Sequence, residues 1–85
     1  MVFLPVKVNV IVTPKKNVLD PQGAAVHHAL ESQGFAGLGK VRVGKLIELE
    51  IEGAPSAERN AEIDRICEDL LSNPVIEDYR WEIES

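Results

Sequence analysis

The stretch GKVRVGKLIELEIEG, residues 39–53, alternates apolar and charged side chains for longer than a small domain needs. Val41, Val43, Ile47, Leu49 and Ile51 fall on one face, and Arg42, Glu48, Glu50 and Glu52 on the other, the period of a strand with one covered face. Only Lys45 interrupts the apolar face, and it follows Gly44, where a bend or bulge is easily accommodated. Fully extended, residues 40–52 would span about 40 Å at about 3.3 Å per residue, whereas a compact chain of 85 residues has a radius of gyration of about 12 Å. The strand therefore either folds back at Gly44 and supplies two neighbouring strands, or pairs its surplus with another subunit. Both arrangements leave an alternating edge to be covered, and a homodimer covers it by symmetry.

The remaining elements fit around this strand. VKVNVIV, residues 6–12, sets Val6, Val8, Val10 and Val12 against Lys7 and Asn9 and reads as a half-covered strand ended by Thr13 and Pro14. Asp20 followed by Pro21 marks a helix start. Ala25, Val26, Ala29 and Leu30 form its expected buried stripe, and Gly34 supplies a left-handed exit with Phe35 behind it. A second helix begins near Pro55 and Ser56, with Ile63, Ile66, Cys67, Leu70 and Leu71 on one side, and SNP at 72–74 ends it. A last strand runs from Val75 to Ile83, with Val75, Glu77, Tyr79, Trp81 and Ile83 in one register. The expectation is one α+β domain over residues 1–85, a two-layer sandwich of order β-α-β-α-β. That order is ferredoxin-like, with both helices on one side of an antiparallel sheet.

Charge narrows the class of partner. The net charge of −5 is uneven: residues 1–47 hold six Lys or Arg and two acids, and residues 48–85 hold three and twelve. Binding to a nucleic-acid backbone needs clustered positive charge, which this distribution does not offer. A protein partner fits better. Cys67 is the one cysteine, so no disulfide framework exists, and it is expected to be a buried apolar residue. With no long apolar run to span a membrane, the expectation is a cytoplasmic protein.

No catalytic constellation emerges. GKVRVGKL, residues 39–46, nearly matches a phosphate-binding loop, but Leu46 has no hydroxyl for Mg²⁺ and the segment alternates like a strand. GFAGLG, residues 34–39, reads as a helix exit and turn. His27 and His28 are adjacent and point about 100° apart on a helix, so they do not readily share a metal; His27 can pair with Glu31 one turn on. Glu62, Asp64, Glu68 and Asp69 read as the solvated side of the second helix, with no His or Ser beside them to make an acid–base pair. The features left over are contact candidates. Lys15 and Asn17 share a loop, Arg42 and Lys45 are cations in a strand otherwise bearing acids, and Tyr79 and Trp81 share a face suited to core or subunit packing.

Taken together, VKVNVIVTPKKNVLDPQGAAVHHAL at 6–30, VRVGKLIELEIEG at 41–53 and CEDLLSNPVIEDYRWEI at 67–83 resemble the PurS family, the small subunit of phosphoribosylformylglycinamidine (FGAM) synthase, over nearly the whole chain. The resemblance implies two helices against a sheet with strands exchanged between subunits, in dimers that can pair into tetramers, and a subunit with no active site of its own in an ATP-dependent C–N ligase of purine synthesis. That complex converts formylglycinamide ribonucleotide, glutamine, ATP and water to FGAM, glutamate, ADP and phosphate. ATP and Mg²⁺ are then expected on the synthetase subunit PurL, ammonia is released by the glutaminase subunit PurQ, and the small subunit bridges the two and supports ammonia transfer. By position, Arg42, Gly44 and Lys45 match the family's strand motif, and Asn73, Pro74 and Val75 its helix-to-strand turn. GFAGLG departs from the family pattern after Gly34–Phe35. The competing reading is a ligand-sensing domain of the ACT kind, which shares the element order and would bind a small molecule at the dimer interface near a glycine turn such as Gly34 to Gly39.

Overall fold

The computed structural model describes residues 5–53 and 56–84; Pro55, expected at the second helix start, lies outside them. The order is β1 (Val6–Pro14), α1 (Pro21–Ser32), β2 (Lys45–Ile51), α2 (Ala57–Ile66), a π-helical turn (Cys67–Leu71) and β3 (Glu77–Glu84). The strands form one antiparallel sheet with β1 in the centre, β2 on one side and β3 on the other. Val8 stands between Leu49 and Ile83, Val10 between Ile47 and Trp81, and Val12 between Lys45 and Tyr79. Lys45 thus does occupy an apolar-face position. Against this face α2 lays Ile63, and the following turn lays Cys67. Val8, Val10, Val12, Ile63 and Cys67 form the buried core of the described residues.

Local chemistry fixes the helix ends. The Asp20 side chain accepts from the Gly23 N–H at 3.0 Å, with Pro21 at the first position. At the other end the Phe35 N–H reaches the Leu30 carbonyl and the Gly34 N–H that of Glu31. With φ of +85° at Gly34, this is a Schellman exit. Ser56 caps α2 through the Arg59 N–H. In the turn after α2 the Ser72 N–H bonds the Cys67 carbonyl five residues back, so the chain winds more widely than an α-helix.

Three expectations need correction, and an alternative left open by the sequence is resolved. The long strand does not fold back into two: residues 41–44 precede β2 without joining the ladder, and Asp20 takes the Val43 N–H at 2.9 Å. The stripe on α1 is not buried within the chain. Its first turn packs on the returning segment, where Gly23 is buried against the Val41 carbonyl, while Ala25, Val26 and Ala29 are exposed and Leu30 is half-buried. Leu70 is 76% exposed, since the wide turn brings Leu71 round to the core in its place. Val75, expected in the last strand, is 78% exposed in a turn that ends before β3. The result is an elongated chain of 56 × 26 × 16 Å with a radius of gyration of 16.8 Å, well above the compact value of about 12 Å.

Candidate functional site

Most of the contact candidates converge on one end of the sheet, where β1 leaves and β2 and β3 enter. Lys15 follows β1 and places its ammonium 2.9 Å from Asp78, while its backbone N–H bonds the Ile76 carbonyl. Asn17 is exposed in the adjoining turn. Arg42 donates to the Pro14 carbonyl at 2.8 Å. A Cβ on Gly44 would overlap the Val12 carbonyl, so β2 can approach β1 at this point only without a side chain. Lys45 is exposed on the α2 side of the sheet.

The turn that feeds β3 is held by its own side chains. The Asn73 carboxamide oxygen accepts from the Val75 N–H at 3.1 Å, and the Glu77 carboxylate accepts from the Asn73 N–H at 2.7 Å. Pro74 supplies rigidity between them. A shallow groove joins this turn to the first cluster, walled by Lys15, Glu68, Pro74, Glu77, Asp78 and Tyr79.

Tyr79 and Trp81 lie further along β3, beneath α2. The Trp81 indole donates to the Asp64 carboxylate at 2.6 Å, and the Tyr79 hydroxyl donates to the Asp64 carbonyl at 3.4 Å. Burial and the Asp64 carboxylate push the Tyr79 hydroxyl above its ordinary value. Asp64, read from the sequence as one of several solvated acids, therefore joins α2 to β3. Asp78 and Glu77, the partners of Lys15 and Asn73, were also missed. Strand alternation does put Asp78 in register with Thr13, which was the available signal.

The histidines are placed as expected: His27 Nδ1 lies 3.0 Å from Glu31 and His28 is exposed. Among the described residues no group of three or more His, Cys, Asp or Glu could hold a metal ion, and no helix is long and apolar enough to cross a membrane. Cys67 is buried, and burial pushes its thiol up. In the turn at 34–39, a Cβ at Gly34, Gly37 or Gly39 would meet nothing within 4 Å. What the geometry provides is a surface, built from backbone-anchored cations, a rigid turn and exposed apolar side chains.

Comparison with known proteins identifies that surface's setting. The family model PurS, described as phosphoribosylformylglycinamidine (FGAM) synthase, matches residues 7–85. The chain belongs to the PurS family. Subunit PurS of phosphoribosylformylglycinamidine synthase from Bacillus subtilis is 49% identical over 78 residues, 92% of each chain, and that of Methanocaldococcus jannaschii is 37% identical over 78 residues, 92% of this chain and 94% of its own. The solved B. subtilis PurS superposes with a TM-score of 0.80 at 48% identity, over 94% of this chain and 99% of that one. A chain in the structure of PurLQS from Thermotoga maritima superposes with a TM-score of 0.81 at 31% identity, over 94% and 98%. The PurS fold accounts for the β-α-β-α-β order with its antiparallel sheet, and membership assigns the chain to FGAM synthase, in purine synthesis, as its non-catalytic subunit.

Proposed function

We propose that this chain is the assembly subunit of phosphoribosylformylglycinamidine synthase, bridging a PurL-type synthetase and a PurQ-type glutaminase and supporting ammonia transfer between them. In this reading it acts as a homo-oligomer built on a dimer. The observation that carries the reading is the likeness, along nearly its whole length, to a chain of PurLQS.

Surface area supports the homo-oligomer. The chain exposes 6383 Å², whereas a compact monomer of 9.4 kDa exposes about 5,000 Å². A stable interface covers about 800 Å² on each partner, so the surplus is large enough for one. The uncovered side chains include Leu19, Val26 and Phe35 around α1, beside the unpaired residues 41–44. A second copy contributing its own 41–44 segment would cover both and extend the sheet.

Light scattering on the chain alone, and on its mixture with the synthetase and glutaminase subunits, tests the reading. The expected masses are those of a multimer alone and of a ternary complex in the mixture. A monomer that leaves the masses of both larger subunits unchanged would overturn it.

A further inference from the structure

The sheet has a second face, turned away from α2, on which charge is divided along the strands. At one end Glu48, Glu50, Glu82 and Glu84 stand around Lys7 and Asn9. Lys7 is held 3.3 Å from Glu48 and 3.5 Å from Glu84, and those carboxylates push its ammonium up. In the middle lies the apolar pair Ile11 and Leu46. At the other end a concavity is lined by Ile11, Thr13, Arg42, Asp78, Tyr79 and Arg80.

The cations of this end are not spent within the chain. Asp78, the one carboxylate in the wall, is already engaged by Lys15. Arg42 uses one guanidinium nitrogen on the Pro14 carbonyl and keeps the rest of its fork. Arg80 has no ion pair or side-chain hydrogen bond among the described residues. Two guanidiniums on a chain of net charge −5 form a local site for planar, bidentate anions, the carboxylate geometry that arginine favours.

We propose that the open sheet face around Arg42 and Arg80 docks a carboxylate-bearing segment of one of the larger synthase subunits. The proposal rests on the assembly reading above and names the chemistry of one contact within it. A polyanion suits the face poorly, because four carboxylates follow on the same strands within about 20 Å, and a phosphate backbone running along them would be repelled. A protein segment can instead place acids over Arg42 and Arg80 and leave basic or neutral groups over Glu48 and Glu82. Electrostatic matching of this kind acts chiefly on association rate and choice of partner.

The test measures association of the full-length chain with each larger subunit at several salt concentrations, for the unaltered chain, Arg42→Glu, Arg80→Glu and Arg65→Glu. Arg65 is exposed on α2, so its variant makes the same charge change on another face. The expected result is association slowed about tenfold or more in Arg42→Glu and Arg80→Glu, with a flattened salt dependence, little change in Arg65→Glu, and an unchanged homo-oligomer mass in Arg80→Glu, which lies on β3 outside the 41–44 segment. Association of both variants at the normal rate would overturn the proposal. An equal loss in Arg65→Glu would do so too, by tracing the effect to net charge. A changed homo-oligomer mass in Arg80→Glu would assign the face to a second copy, and inorganic phosphate bound by the unaltered chain but not by Arg80→Glu would assign it to a free anion; either overturns the proposal. If the unaltered chain itself fails to associate, the assembly reading falls, and this contact with it.

Discussion

Asp20 serves two elements with one carboxylate, capping α1 through the Gly23 N–H and fixing the Val43 N–H ahead of β2. Those two bonds hold its carboxyl below the ordinary value of 3.8. Because the folded-state value is depressed, the stabilisation is complete above 3.8 and is lost as pH falls through the lower folded value. In Asp20→Asn one acceptor is replaced by an amide that faces an N–H. Melting temperatures followed from pH 7 downward should show this variant less stable than the unaltered chain at neutral pH, with the gap closing in acid; a gap independent of pH would contradict the assignment. Gly44 is a second single-residue test. Gly44→Ala sets a methyl group against the Val12 carbonyl and should cost about 1–3 kcal/mol in denaturant unfolding. The capping role of Asp20 was legible in the sequence from Pro21 after it. Its tie to Val43 was not, since the two residues are 23 apart and no local pattern reports such a bond.

Between elements, the firmest polar link is that from β3 to α2. Trp81→Phe and Asp64→Ala each remove the 2.6 Å indole–carboxylate bond and should each destabilise the chain by about 1 kcal/mol. The double variant should be no worse than the poorer single one, because both changes delete the same contact; full additivity would show that the bond contributes nothing. The strands were legible because alternation is a local signal, and the register Val8–Leu49 and Val10–Trp81 follows it. Two helical details were not. The wide turn at Cys67 leaves no mark in a repeat of apolar residues, so Leu70 and Leu71 looked equivalent. On α1 the stripe of Ala25, Val26 and Ala29 was read correctly as apolar, but periodicity does not say whether an apolar face is covered by its own chain or by another. Val26→Glu should therefore lower the mass of the homo-oligomer in light scattering while leaving the sheet's circular dichroism unchanged; an unaltered mass would separate α1 from the interface.

The whole molecule is too extended for its length, with a radius of gyration of 16.8 Å, and this is the physical sense of the overlong strand. The segment that alternates beyond the end of its own ladder, residues 41–44, lies beside the uncovered helix α1 and next to the cluster of Lys15, Arg42 and Asp78. On the proposed reading a partner completes this shape, and membership in the PurS family places the chain itself within FGAM synthase. Glutamine-dependent FGAM formation by the synthetase and glutaminase subunits, assayed with and without this chain, tests the account most directly. Activity that appears, or rises at least about tenfold, only when the chain is added is the predicted result; equal glutamine-dependent rates with and without it would contradict the account.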